Sequence, residues 1–220
     1  LGLRGWQWLF LLEGLPSVIV GVLVLGLLPN RPKDAKWLSP AEQQWLEGTL
    51  EAERAGRERF HHGGLGAALV NPLVWYLGAC YFLLVAPLYG FALWLPQLVK
   101  ASGAFTDFEV GVITAIPYCV AAIGMILVGR RSDRTAERRL HLVVPALAGA
   151  AGFFVVTRTG TTVALVAALS LTAFGVVGWL GPFWAMPTAF LKDQAAAGGV
   201  ALVNSMGAVG GFVGPYLIGR

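Results

Sequence analysis

The most chemically active stretch of this chain is Gly129-Arg130-Arg131-Ser132-Asp133-Arg134-Thr135-Ala136-Glu137-Arg138-Arg139, where two carboxylates stand among five arginines. A carboxylate so placed accepts charge-assisted hydrogen bonds from a guanidinium, or approaches the positive N-terminal end of a neighbouring helix. Asp133 is the candidate for either contact, and each would hold helix ends together in a way that can later be released. In the competing reading the cations only bind anionic lipid, and Asp133 then matters little.

The remaining candidates are neutral: Asn204, Trp184, Tyr89 and Tyr118, all within apolar stretches. An amide among apolar residues needs a partner, either across a helix interface or on a ligand. Large amphipathic rings wall a cavity as readily as they pack helices or sit in lipid-interface belts. No nucleophile–base pair, phosphate loop or dinucleotide turn accompanies them, so an enzyme has no motif to rest on. Cys80 and Cys119 lie inside apolar runs and read as small buried hydrophobes, while His61-His62 has no further ligands nearby. No metal and no cofactor is expected. Glu13 is the only acid inside an apolar run, and a solvated carboxylate near the outer end of that run is the preferred reading over a proton or gate group.

The elements that must position these residues follow from the flanks of the basic stretch. Residues 110–128 and 142–156 contain no Asp, Glu, Lys or Arg, and a bilayer core of about 30 Å takes about 20 apolar residues to cross. Two membrane helices joined by a tight cationic hairpin over 129–139 is the economical reading. Over the whole chain, 56% of residues are hydrophobic and 13% charged, with mean hydropathy +0.68. That is too little polar surface for a water-soluble globule, for which about 25% charged is usual. The formal charge of +4 does not indicate nucleic acid, because the cations sit between apolar runs instead of along one folded face.

Six spans emerge, roughly 8–28, 75–99, 109–128, 141–157, 162–190 and 195–218, giving an all-α polytopic bundle in a lipid bilayer. With the hairpin in the cytoplasm, residues 29–74 and the turn at Lys192-Asp193 lie on the same side, and twelve of the sixteen Lys and Arg fall inside, as the positive-inside rule requires. Within 29–74, Ser39-Pro40-Ala41-Glu42 predicts a capping box, followed by a helix carrying a narrow stripe of Trp45, Leu46, Thr49 and Leu50. Such a helix lies on the membrane surface or against the bundle, or else is a solvated linker. Gly207 with Gly211 and Gly210 with Gly214 have the spacing that permits close helix contact. The chain lacks an initial Met and closes on an apolar run, so an internal fragment of a longer polytopic protein is expected.

Several ordered motifs add a resemblance. Gly5-Trp6-Gln7-Trp8-Leu9-Phe10 through Glu13-Gly14-Leu15-Pro16, Leu28-Pro29-Asn30-Arg31-Pro32, Trp37-Leu38-Ser39-Pro40 with Glu42, Gly129-Arg130-Arg131-Ser132-Asp133-Arg134, and Gly181-Pro182-Phe183-Trp184 to Gly214-Pro215 resemble the anion:cation symporter family of the major facilitator superfamily. Within it they look like bacterial tartrate, phthalate and hydroxyphenylacetate-type permeases.

The resemblance implies twelve helices in two halves, about six of them present. Residues 1–28 would be the last helix of the first half, 29–74 the central cytoplasmic loop, and 75–220 helices seven to eleven. It also implies a multi-pass protein of the bacterial inner membrane that carries a small organic anion with protons by alternating access. The coupling groups would lie mostly on the absent helices, with Gly129, Asp133, Arg134, Arg138 and Arg139 forming a gating motif. Ala136 stands where that motif usually has glycine, and Ala208 where a second asparagine is common. The rival class is a multipass membrane enzyme or receptor whose active residues lie elsewhere in the full protein.

Overall fold

The computed structural model describes residues 2, 4–29, 31–58, 65–190 and 193–219. Every extended regular element in them is a helix: α1 (Gly5–Leu27), α2 (Pro40–Glu58), α3 (Leu65–Val70), α4 (Pro72–Ala101), α5 (Asp107–Thr135), α6 (Leu140–Val156), α7 (Thr162–Val177), α8 (Leu180–Phe190) and α9 (Asp193–Ile218), with one 3-10 turn at Pro32–Asp34. All six spans read from the sequence fall on helices. Five are long and apolar enough to cross a membrane, and α6 is a shorter apolar helix of 17 residues. The His61-His62-Gly63-Gly64 linker, Asn30, Arg59, Lys192 and Arg220 lie outside the described residues.

The chain divides into two compact units, 1–61 and 62–220. In the first, α1 supplies a span over Gln7–Leu27 with mean hydropathy 2.2. The expected capping box closes at the start of α2: the Ser39 N–H donates to Glu42 Oε2 at 2.8 Å, and the Glu42 N–H returns to Ser39 Oγ at 3.3 Å. The Ser39 hydroxyl also donates to Glu42 Oε2 at 2.7 Å, and this bond first, then the one from the Ser39 N–H, holds the exposed Glu42 carboxylate below its ordinary pKa range. The predicted stripe on α2 is split. Leu46, Thr49 and Leu50 are half-buried, whereas Trp45, one step of about 100° around the helix from Leu46, is exposed.

In the second unit α4 is the central post. One buried row of its side chains, Val74, Leu77, Tyr81 and Val85, packs with Trp179, Phe183 and Val203. Farther along, Phe91, Leu95 and Val99 pack with Val110 and Ala121 of α5 and with Leu165, Leu169, Ala173 and Val176 of α7. Besides these cores, α4 runs along α9, and α7 packs against both α5 and α6.

Backbone contact at small residues sets the spacing of these pairs. Gly210 and Gly214 of α9 lie against the carbonyls of Phe82 and Ala86 of α4, Gly207 lies beneath the Tyr81 ring, and Tyr89 covers Gly211. Both predicted glycine pairs are therefore seated at a helix crossing. A second crossing sets Gly149 of α6 directly on Gly175 of α7, with Gly152 against Thr172.

Two expectations are corrected in detail. The span 162–190 is two helices, interrupted at Gly178 and Trp179. Pro182 explains the break, since it has no N–H to offer the Gly178 carbonyl and its ring crowds that oxygen. The tight hairpin over 129–139 is mostly helix, because α5 continues to Thr135 and leaves only residues 136–139 as the turn. Arginine, serine and aspartate at the water-exposed end of a helix impose no cost that would stop it earlier.

The α4–α9 seam yields a direct test. A Cβ at Gly214 would overlap the Ala86 carbonyl, whereas one at Gly111 of α5 meets nothing within 4 Å. Gly214→Ala is expected to cost about 1–3 kcal/mol through overpacking, and Gly111→Ala to be neutral or stabilising. Thermal denaturation of the detergent-purified full-length protein measures both, and equal midpoints would contradict the seam.

Candidate functional site

The cationic turn is organised around Ser132, whose side chain is 0% exposed. Its hydroxyl donates to the Glu137 carbonyl at 2.8 Å and accepts from Arg138 Nη1 at 3.0 Å. The same nitrogen donates to Asp133 Oδ1 at 2.6 Å, so one guanidinium spans the last turn of α5. Glu137 then caps α6: its carboxylate accepts the Leu140 N–H at 2.9 and 3.0 Å, and this bond above all holds its pKa below the ordinary range. His141 Nδ1 lies 2.9 Å from the Glu137 carbonyl; a carbonyl only accepts, so Nδ1 carries the proton.

Of the five motif residues, Asp133 and Arg138 are thus joined. Arg134 and Arg139 stand exposed, without an ion pair among the described residues. Gly129 sits where α5 approaches α8, its Cα 3.9 Å from where a Cβ on Gly181 would lie. The second contact considered for Asp133, with the start of the last span, involves side chains outside the described residues.

Ser132 and Glu137 were not singled out as functional from the sequence. The available signals were a serine one helical turn before the cationic break and an acid three residues before the apolar run of α6, the spacing of a cap.

Beside the turn opens a cleft of about 890 Å³ lined, among others, by Tyr76 and Cys80 of α4, Arg138 and Arg139, Leu142 of α6 and Met186 of α8. The aromatic candidates are not among the residues that line it. Trp184 meets Tyr81 edge-on at 4.9 Å between ring centroids. Tyr81 also stacks on Phe183 at 4.9 Å and meets Trp179 edge-on at 5.8 Å. Tyr81 is therefore the hub of this cluster, and its register with Val74, Leu77 and Val85 on α4 was the sign of its buried position.

Asn204 projects from the exposed side of α9, with no hydrogen-bond partner among the described residues. Tyr89 covers Gly211, seven residues and about 10 Å farther along the same face of α9. Tyr118 is on a different seam, edge-on to Phe91 of α4 at 6.2 Å. The structure thus places Asn204 and Tyr89 along one side of the α4–α9 pair, ties Trp184 to that pair through Tyr81, and leaves Tyr118 separate. The indole Nε1 of Trp94 is buried without a partner among the described residues.

Chemically the spans of this unit offer neutral donors and aromatic walls. No group of three or more His, Cys, Asp or Glu among the described residues could hold a metal.

A bundle of membrane-length helices crossing at glycines, with a charge-latched turn at one end and neutral polar groups along a seam, defines a polytopic membrane protein. The pattern of the Major Facilitator Superfamily matches residues 1–215, and the chain belongs to that superfamily. It is 43% identical over 219 residues to a protein of Agrobacterium vitis named "Putative tartrate transporter", covering 100% of this chain and 48% of that protein. It is 37% identical to "Putative metabolite transport protein NicT" of Pseudomonas putida and 36% identical to "Quinolone resistance transporter" of Acinetobacter baumannii, in each case over 99% of this chain and 50% of the relative. The chain spans about half the length of these curated relatives.

Ala136 closes α5 in the left-handed region, φ 51° and ψ 18°, and it is the one non-glycine residue with positive φ among those described. That conformation costs an L-residue about 1–2 kcal/mol, which is the physical reason for glycine at this place in related motifs. Ala136→Gly is expected to raise stability by about 1 kcal/mol, read as a higher denaturation midpoint with the Asp133–Arg138 pair intact. The Glu137 cap adds a pH dependence of known sign: with its folded pKa below 4.5, its contribution is present above that value and is lost as pH falls through the lowered pKa.

Proposed function

We propose that the full-length protein is a secondary active transporter for a small organic anion, a carboxylate, moved together with protons by alternating access across a bacterial cytoplasmic membrane. The observation that carries the reading is the 43% identity to the "Putative tartrate transporter" across the whole of this chain, together with membership of the superfamily. In this reading residues 1–28 form the last helix of the first half, 29–74 the central cytoplasmic loop and 75–220 helices seven to eleven.

An anion and its coupling proton need charged partners, and in residues 75–99, 110–128 and 162–190 there is no Asp, Glu, Lys or Arg. The present half would therefore supply neutral hydrogen bonds from Asn204, aromatic walls from Trp184, Tyr89 and Tyr118, and gating surfaces. Sites of paired-repeat transporters lie near the midplane between the halves, and the exposed amide of Asn204 suits that position. The Asp133–Arg138 pair, bridged to Ser132, would be the part of the gate that forms and breaks between states.

Proteoliposomes containing the full-length protein test this with a panel of aliphatic hydroxy-dicarboxylates and aromatic carboxylates, with and without an inward proton gradient. Gradient-dependent uptake of a carboxylate, abolished by a protonophore, is expected; uptake of none of them would refute the proposal. One neutral hydrogen bond is worth about 0.5–1.5 kcal/mol, so Asn204→Ala should raise KM about three- to tenfold at unchanged membrane abundance. Asp133→Asn should slow uptake without impairing insertion.

The proposed orientation has its own measurement in a cysteine-free background. Single cysteines at Ala104 and Gly160 should react with an impermeant reagent added outside, and one at Thr135 should not. Thr135 is exposed, whereas the neighbouring Ser132 is fully buried and would be silent on either side.

A further inference from the structure

The segment that follows α1 carries two large exposed indoles that nothing above explains: Trp37, 66% exposed, and Trp45, 71% exposed. They belong to one small folded knob. Three successive turn bonds close it, Asp34 N–H to Arg31 O at 3.0 Å, Ala35 N–H to Pro32 O at 3.0 Å and Leu38 N–H to Ala35 O at 3.1 Å. Gln43 of α2 donates its amide to the Ala35 carbonyl at 2.9 Å and so pins the turns to the helix, with Ala35 buried beneath it. The two tryptophans are therefore held by a fixed scaffold instead of a loose linker. Around them Arg31, Lys33 and Lys36 are exposed against two exposed acids, Asp34 and Glu42, the second of them engaged in the Ser39 capping box, and Ala41, Gly48 and Ala52 are the small exposed residues beside Trp45 on α2.

Chain continuity places this knob. Arg31 follows the end of a membrane span, Leu27, by four residues, a reach of at most about 14 Å, and the headgroup layer beyond the hydrocarbon is about 5–8 Å thick. The three turns then fold the chain back on itself instead of carrying it away. Indoles with cations at the edge of a span are the combination that partitions into headgroups, the rings by their amphipathic character and the cations by attraction to anionic lipid, each worth about fivefold near such a surface.

We propose that residues 31–45 form an interfacial anchor that seats Trp37 and Trp45 in the headgroup layer of an anionic membrane leaflet, with Arg31, Lys33 and Lys36 contacting lipid phosphate. The anchor fixes the junction between α1 and α2 to the membrane surface. It rests on the class of membrane protein established above and not on the transported substrate.

The test uses the full-length protein in a cysteine-free background, nitroxide-labelled at Trp37→Cys, Trp45→Cys or, about 120° around α2 from Trp45, Glu51→Cys. Each variant is reconstituted in vesicles containing phosphatidylglycerol or phosphatidylcholine alone, with both leaflets alike, so the readout is independent of orientation and of uptake. Collisions with oxygen are expected to exceed those with a water-soluble nickel chelate several-fold at 37 and 45 in phosphatidylglycerol, less so in phosphatidylcholine, and not at 51. Lys33→Glu with Lys36→Glu, read through the label at 45 with Trp37 retained, should remove the lipid dependence. Nickel-favoured collisions at 37 and 45 would make the segment a solvated linker, and exclusion of both reagents would mean that protein covers it; either outcome overturns the anchor.

Discussion

Helices in hydrocarbon gain nothing from hiding apolar side chains from one another, so their association depends on how closely they can approach. In this chain that approach is made by α4 and α9, where Gly210 and Gly214 reach the carbonyls of Phe82 and Ala86. The matched four-residue steps on the two helices make the contact repeat once per turn and fix both rotation and register. With α4 so fixed, the Tyr81 ring has one place to lie, over Gly207, and the rings of Trp179, Phe183 and Trp184 assemble around it. The other end of α4 contributes Phe91, Leu95 and Val99 to the core shared with α5 and α7. Both halves of the packing thus inherit their geometry from one seam.

The cationic turn follows a different physical rule. Asp133 is 71% exposed and Arg138 30%, and an ion pair so wet is worth about 0–1 kcal/mol. Its 2.6 Å contact therefore positions the turn more than it stabilises it. The buried hydroxyl of Ser132 is the firmer half of the arrangement, because leaving it without partners would cost about 1–3 kcal/mol. A hard buried bond beside a weak exposed one suits a joint that keeps its shape while releasing its outer contact.

Much of this was legible in the residues. The charge-free runs gave the order and places of the apolar helices, Ser39-Pro40-Ala41-Glu42 gave the start of α2, and the glycine spacings gave the α9 contact face. The extent of the hairpin was not legible, because polar residues do not distinguish a helix protruding into water from a loop. Ala136 marked the place of the turn, but only its positive φ revealed a strained closure. At the candidate site the sequence supplied residue types without neighbours. Nothing in spacing alone says that Trp184 leans on Tyr81 while Tyr118 faces Phe91, since those are contacts between helices. The stripe on α2 misled for a related reason: adjacent residues on a helix diverge by about 100°, so Trp45 and Leu46 look to different surroundings.

The break at Gly178 and Trp179 divides one span into two arms with different allegiances. The upper arm, α7, is bolted to α6 by backbone contact at Gly149 and Gly175, while the lower arm, α8, is held by its rings to Tyr81 on α4. Between them the ladder of hydrogen bonds is missing the rung that Pro182 cannot supply. A tilt of α4 would therefore reach the lower arm through the rings around Tyr81 and the upper arm through Phe91, Leu95 and Val99, and the missing rung lets the two answer separately, turning a single proline into an elbow inside the membrane.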